Sequence, residues 1–208
     1  MDRIDHHVVT SAEELAAIYD KPSERVLRKE IDHVDALGRA FIAASPFLVI
    51  ATGTGQGLDC SPKGDQPGFV EVSEDGKTVL IPDRPGNNRI DGLKNLIANP
   101  QVALIFFVPG ANETYRVNGR ARISTEPALK HRFAVNGKEP KVVIAIAVEQ
   151  AFQHCPKALV RSSLWKAGAG ERPKGVPTLG SFAAQHSPGL DPATFDAEYT
   201  KRMPSELY

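Results

Sequence analysis

Three stretches of the chain gather side chains that can hold an anion. The first is Asn87, Asn88 and Arg89, set between a short β-rich run at 78–81 and a segment with apolar residues at Ile90, Leu93 and Ile97. That spacing predicts a helix over 89–98 with one buried face, so the loop at 83–88 delivers its last residues to a helix start. Backbone N–H groups there are unpaired and carry partial positive charge, which stabilises an anion. An Arg at the same corner adds charge-assisted, bidentate bonds to phosphate oxygens. The alternative is that Asn88 caps the helix and Arg89 is simply solvated. The second stretch is Ser61, Pro62, Lys63, Gly64 and Asp65. A hydroxyl, an ammonium and an open backbone after a strand suit a flat heterocycle or an anion, and equally a surface loop. The third follows Pro156: Lys157 and Arg161 stand four apart on one helical face, with Trp165 a turn further. Two cations and an indole can hold a phosphate and stack on an aromatic ring. The plainer reading is a solvated helix whose Trp165 anchors it to the core.

Other groups offer less chemistry. Gly53, Gly55 and Gly57 alternate, but they lack the Lys-Ser/Thr of a phosphate-binding loop and no helix follows, so they predict a hairpin turn. His154 beside Cys155 is a single pair, and no other histidine has a partner at ligand spacing, so no metal site is expected. Cys155 has no activating arrangement for a nucleophile. No side chain declares itself a general acid or base, and the catalytic residues stay unassigned.

Positioning these groups requires a mixed fold. A helix over 11–19 begins with the capping-box spacing of Ser11 and Glu14, a second follows Pro22, and a third covers 31–44 with Ile31, Val34, Leu37, Phe41 and Ile42 as its stripe. Gly38 weakens that third helix and Pro46 ends it. Strands are expected at 47–52, 58–61, 69–72 and 78–81. The run at 102–108 is apolar throughout, the pattern of a strand covered on both faces. Residues 114–123 alternate, with Tyr115, Val117, Gly119 and Ala121 on one face and Arg116, Asn118, Arg120 and Arg122 on the other. A helix over 126–133, a last core strand at 142–148, a Gly/Lys/Pro-rich loop at 166–177 and helices over 178–186 and 191–201 complete the chain. About six short strands between terminal helices predict an α+β protein built on a small antiparallel barrel.

The bulk properties exclude several roles. The chain has 208 residues, 41% hydrophobic and 24% charged, ordinary for a soluble globular protein. Its formal net charge is zero, so no global field steers it to nucleic acid or an acidic membrane. Two cysteines make no disulfide framework. No leader-like apolar segment opens the chain and no apolar run approaches a membrane span, so a cytoplasmic protein with reduced thiols is expected.

Taken in order, SPKGD, IPDRPGNNR, LKNLIANPQVALIFFVPG, YRVNGRARIS and HCPKALVRSSLW carry a resemblance. The chain resembles the pyridoxamine 5′-phosphate oxidase-like family of FMN-binding split-barrel proteins, and more narrowly its branch of probable FMN-dependent enzymes of unassigned substrate. The likeness spans 41–165. It implies a six-stranded antiparallel split barrel with flanking helices: a helical segment at 1–45, the FMN-binding barrel at 46–165, and a loop and helices at 166–208 packing on it. It implies a homodimer with FMN in two symmetric clefts at the subunit interface. By position, Asn87, Asn88 and Arg89 would hold the phosphate, while Ser61, Pro62, Lys63 and the backbone of Ile81 and Pro82 would meet the flavin edge. Lys157, Arg161 and Trp165 would reach over from the partner, and Arg84 and Arg116 are further candidates. Lys63 is the candidate for a positive charge at the ring's N1–C2=O edge. The chain end, KRMPSELY, lacks the Arg and His pattern with which the oxidase itself binds its substrate phosphate. The function implied is therefore an FMN-dependent oxidoreductase acting on an unidentified small molecule. A non-catalytic flavin or haem carrier and a deazaflavin-dependent reductase are the alternatives.

Overall fold

A computed structural model describes residues 7–166 and 172–207. Seven strands form one antiparallel sheet: β1 (Phe47–Thr54), β2 (Gly57–Gly64), β3 (Glu71–Val72), β4 (Thr78–Pro82), β5 (Gln101–Phe107), β6 (Thr114–Ser124) and β7 (Val143–His154), in the order β2-β1-β5-β6-β7-β4-β3. The expected count of six is corrected to seven, each near one of the expected strand segments; the one at 69–72 is shortened to a two-residue edge strand in which Glu71 and Val72 pair with Leu80 and Val79. The architecture is otherwise the expected one, an antiparallel split barrel with flanking helices in an α+β chain.

One face of the sheet makes the core. Leu48, Ile50, Leu104, Phe106, Tyr115, Val117, Ile144 and Ile146 are buried there, each two residues from its partner on the same strand, as strand alternation requires. The alternation read in β6 holds, with Tyr115, Val117 and Ala121 buried. The hairpin between β1 and β2 closes on Gly55 and Gln56, with Thr54 opposite Gly57. β7 runs six residues past the end expected at 148. Its aliphatic run stops at Val148, but the strand continues across a bulge. The register steps from Asn118 opposite Gln150 to Gly119 opposite Val148, leaving Glu149 as the extra residue.

The helices sit around this sheet. In α1 (Ala12–Ile18) Ser11 accepts from the Glu14 N–H, while the Glu14 carboxylate reaches back to Thr10 instead of Ser11. α2 (Glu24–Arg28) follows. α3 (Ala36–Ala44) starts five residues later than expected, because Asp35 caps it by accepting from Gly38 N–H at 2.7 Å and Ile31 bridges to Ala151. Gly38 is no weakness in this helix: a Cβ there would lie 2.2 Å from the Tyr115 hydroxyl. Burial, and then the nearby Asp35 carboxylate, push the Tyr115 phenol up to about 12.

The unfolded chain gives up the Tyr115 proton near the ordinary phenol value of 10.0 and the folded chain only near 12, so stability falls as pH rises across that window. Tyr115→Phe should flatten this alkaline loss by up to ~2 kcal/mol, read from urea unfolding on either side of the window. Equal losses in both proteins would refute the assignment.

α4 (Asp91–Ala98) begins two residues later than expected. Its cap is Ile90, in left-handed backbone at φ 51° with no side-chain capping bond, and Asn88 is also left-handed at φ 57°. The reading of Asn88 as the cap is therefore corrected, and Arg89 belongs to the loop. α5 (Pro127–Arg132) is capped by Glu126. α6 (Lys157–Ser162) stops at a left-handed Ser163, which takes Trp165 off the helix. α7 (Leu179–Gln185) carries a capping box between Thr178 and Ser181. α8 (Pro192–Glu206) runs beyond the end expected near 201, with Phe195 and Tyr199 stacked 6.4 Å apart. The Gly180 N–H donates to Asp196 across α7 and α8. The loop expected at 166–177 lies partly outside the described residues.

Candidate functional site

The core-facing side of β2 and the ends of β4 and β7 open into a cleft of about 1170 Å³. Strand pairing explains why these residues meet. Ile50 faces Ser61, Thr52 faces Asp59 and Leu48 faces Lys63, so Asp59, Ser61 and Lys63 point to the core side of the sheet. Pro82 pairs with Val143, which brings the loop after β4 and the residues before β7 to the same mouth. β2 continues three residues beyond Ser61, the expected strand end, so Pro62, Lys63 and Gly64 are strand residues and not the surface loop that was one of their two readings. Pro62 is tolerated because β2 is a sheet edge.

Eight of the residues singled out in the sequence line this cleft: Ser61, Pro62, Lys63, Pro82, Arg84, Asn87, Asn88 and Arg89. Ile81 has its side chain fully buried in the core and can offer only backbone. Arg116 is on the opposite face of the sheet, its Nη1 3.1 Å from His154 Nε2. Lys157 and Arg161 are on α6 and do not line the cleft of their own chain, and the Trp165 indole donates to the Ala111 carbonyl at 2.6 Å. This indole bond anchors the chain after α6 to the turn between β5 and β6.

Sequence reasoning missed four charged residues of the cleft. Asp83 holds Lys63 at 2.6 Å, and both side chains are largely shielded. Asp91 takes Arg89 at 2.8 Å, and that hydrogen bond holds its carboxyl below the usual range. Asp59 accepts from the Ser61 hydroxyl at 2.7 Å and abuts α4, where a Cβ on Gly92 would lie 3.0 Å from its Oδ2. Lys141 donates to Asn88 Oδ1 at 3.0 Å. No local signal marks Lys141, because only the pairing of β4 with β7 brings it to the cleft. The remaining cation, Arg84, is taken up by Asp65 at 2.6 Å and by the Phe133 carbonyl at 2.7 Å.

These partners rank the cations as anion ligands. The Arg89 and Asp91 pair is mostly exposed, and such pairs are worth little, so the guanidinium is easily recruited. Lys141 faces a neutral amide oxygen. Beside them, the first N–H groups of α4 carry no side-chain cap, which leaves donors of the kind an anion takes. Arg89, Lys141 and the start of α4 therefore form the most available anion cradle in the cleft, with Lys63 held as a fixed positive charge on its strand wall.

Residues 34–155, a span that contains all seven strands, match the family model described as pyridoxamine 5′-phosphate oxidase. The chain belongs to this family. No curated protein matches it in sequence. Among solved structures, the H111A variant of HupZ from Group A Streptococcus is 25% identical, over 58% of this chain and 99% of that one, with a TM-score of 0.47. General stress protein 26 from Bacillus anthracis is 17% identical, over 55% and 88%, with a TM-score of 0.42. The FAD binding protein from Mycobacterium smegmatis is 15% identical, over 60% and 97%, with a TM-score of 0.41. Among the described residues of this pyridoxamine 5′-phosphate oxidase family member, no helix is long and apolar enough to cross a membrane.

Proposed function

We propose that this protein is a cytoplasmic, homodimeric flavoprotein that binds FMN in the cleft and acts as an FMN-dependent oxidoreductase on a small molecule. The observation that carries the reading is the cradle of Arg89, Lys141 and the uncapped start of α4, sharing one cleft with Ser61 and Lys63. Its volume of about 1170 Å³ leaves room for a cofactor and a small substrate together. A dianionic phosphate needs cationic or N–H-rich contacts to offset its desolvation, and this donor set provides both. FMN, when bound, supplies the redox chemistry. The chain's own residues bind and orient: Arg89 and Lys141 hold the phosphate end, Ser61 offers a hydroxyl, and Asp83 fixes the Lys63 ammonium on the wall.

The dimer is supported by the outer face of β1, β2 and β5. β5 reads as covered on both faces, yet Ile105 and Phe107 point outward with Phe47 and Leu58, and Leu58 is 91% exposed. A second copy would cover this face and bring Lys157, Arg161 and Trp165 near the other cleft.

The test begins with the absorption spectrum and mass of whatever ligand co-purifies. A flavin spectrum with the mass of FMN is expected, and a haem or deazaflavin spectrum would replace the reading. Turnover with NAD(P)H and an acceptor then separates an enzyme from a carrier. Arg89→Ala should weaken FMN binding about tenfold or more by fluorescence titration, the loss of one charge-assisted contact. Unchanged affinity would remove Arg89 from the phosphate site.

A further inference from the structure

The side chains of β2 are turned inside out. Leu58 and Cys60 point outward and are exposed, while the row on the core side, Asp59, Ser61 and Lys63, is half-buried and entirely polar. The inner residues beside it are apolar, Leu48 and Ile50 on β1 and Leu104 and Phe106 on β5. A strand that shelters its polar residues and exposes a leucine runs against the ordinary preference for burial. All three residues of that inner row line the cleft.

The row has a fixed hydrogen-bonding sense. The Ser61 hydroxyl lies 2.7 Å from Asp59 Oδ2, and a carboxylate has no proton to give, so Ser61 is the donor. Its one proton is then spent, and only acceptor lone pairs remain on its oxygen. Among the described residues no donor reaches those lone pairs, and Ser61 is the one hydrogen-bond donor to the Asp59 carboxylate. No cation of the described residues lies within ion-pair distance of Asp59 either. The carboxylate is held in place by its neighbours: Thr52 is its cross-strand partner, and a Cβ on Gly92 at the start of α4 would lie 3.0 Å from Oδ2. Lys63, roughly 7 Å further along the strand, carries donors only and is fixed by Asp83. The wall therefore sets an acceptor at Ser61 beside a donor at Lys63.

We propose that Asp59 is a positioning residue: by taking the Ser61 proton it makes Ser61 an obligate acceptor for the N3–H of the flavin ring, a role that rests on FMN occupying the cleft. N3–H is the one ring N–H of oxidised flavin, and it adjoins the C2=O that the Lys63 ammonium suits. A hydroxyl free to turn would donate equally well to the carbonyl on either side of N3. Held by Asp59, it can only accept, and it needs no reorientation when the ring arrives.

Fluorescence titration of the full-length protein, freed of bound flavin, with FMN and with 3-methyl-FMN tests this, because the methyl group removes that N–H and leaves the phosphate. FMN should bind about fivefold or more tightly than the methylated flavin, the worth of one neutral hydrogen bond. Ser61→Ala should bring the two affinities together. Asp59→Ala, which frees the hydroxyl to turn, should cut the preference by about half or more, and in the Ser61→Ala background it should change the preference no further. A purely structural role for Asp59 would lower the melting temperature and move both affinities together without altering their ratio. A ratio unchanged in Asp59→Ala would overturn the inference and leave FMN binding intact, as would equal binding of the two flavins to the wild type. Failure of both flavins to bind the wild type would overturn this role and the flavin reading together.

Discussion

Gly119→Val is expected to abolish accumulation of the folded protein. Gly119 sits at the bulge where β6 and β7, the two longest strands, change register. A Cβ built there would lie 2.0 Å from the Ala147 carbonyl oxygen and 3.0 Å from its carbon. The obstacle is backbone within a hydrogen-bonded ladder, so no rotamer change relieves it. Overlap of this depth costs about 3 kcal/mol or more, a large share of the 5–15 kcal/mol that holds an ordinary domain together. Gly119→Ala carries the same Cβ and should show a markedly lower urea midpoint if enough soluble protein forms to measure. Gly57→Ala is the control, because nothing lies within 4 Å of a Cβ there. A Gly119→Ala midpoint matching that control would mean that the two strands are not locked at this register.

The same bulge shows where the sequence stopped being readable. Alternation in β6 was plain because its buried and exposed residues differ sharply in type. In β7 the apolar run ends at Val148, and the extra residue Glu149 shifts the alternation by one. The remaining strand, through Ala151 to His154, therefore resembles a loop until it is seen paired with β6. The start of α4 failed for a different reason. Ile90 continues the apolar stripe and reads as helix, but its left-handed backbone belongs to the loop, a conformation that β-branched residues adopt only when the surroundings impose it. Local periodicity carries no information about that.

The cleft was legible in part because most of the candidate residues that line it cluster in two short segments, 61–63 and 82–89. Its counter-charges were not. Asp83 and Asp91 stand beside residues that the motifs did highlight, yet which cation each would take depends on strand register. Lys141 enters only through the pairing of β4 with β7. Arg84, a candidate ligand by sequence, is engaged by Asp65 and Phe133, which sets up the second large effect.

Arg84→Met is expected to cost about 3 kcal/mol of stability, the lower end of the range for removing one partner of a buried ion pair. The Asp65 side chain is 3% exposed and that of Arg84 15%, so water replaces little of what the guanidinium supplies. The pair ties the loop after β4 to the end of β2, and the second Arg84 bond, to Phe133, ties the same loop to the end of α5. Asp65→Asn should lose a comparable amount, and the double variant should lose clearly less than the two single losses added together. Strictly additive losses in urea unfolding would show that the two side chains are not energetically coupled. The same variants separate scaffold from ligand. Because the guanidinium is already committed to Asp65 and Phe133, saturating FMN should raise the melting temperature of Arg84→Met as much as it raises that of the wild type. A much smaller rise in the variant would mean that FMN draws Arg84 out of its pair, and the phosphate cradle would then have to be extended from Arg89 and Lys141 to include it.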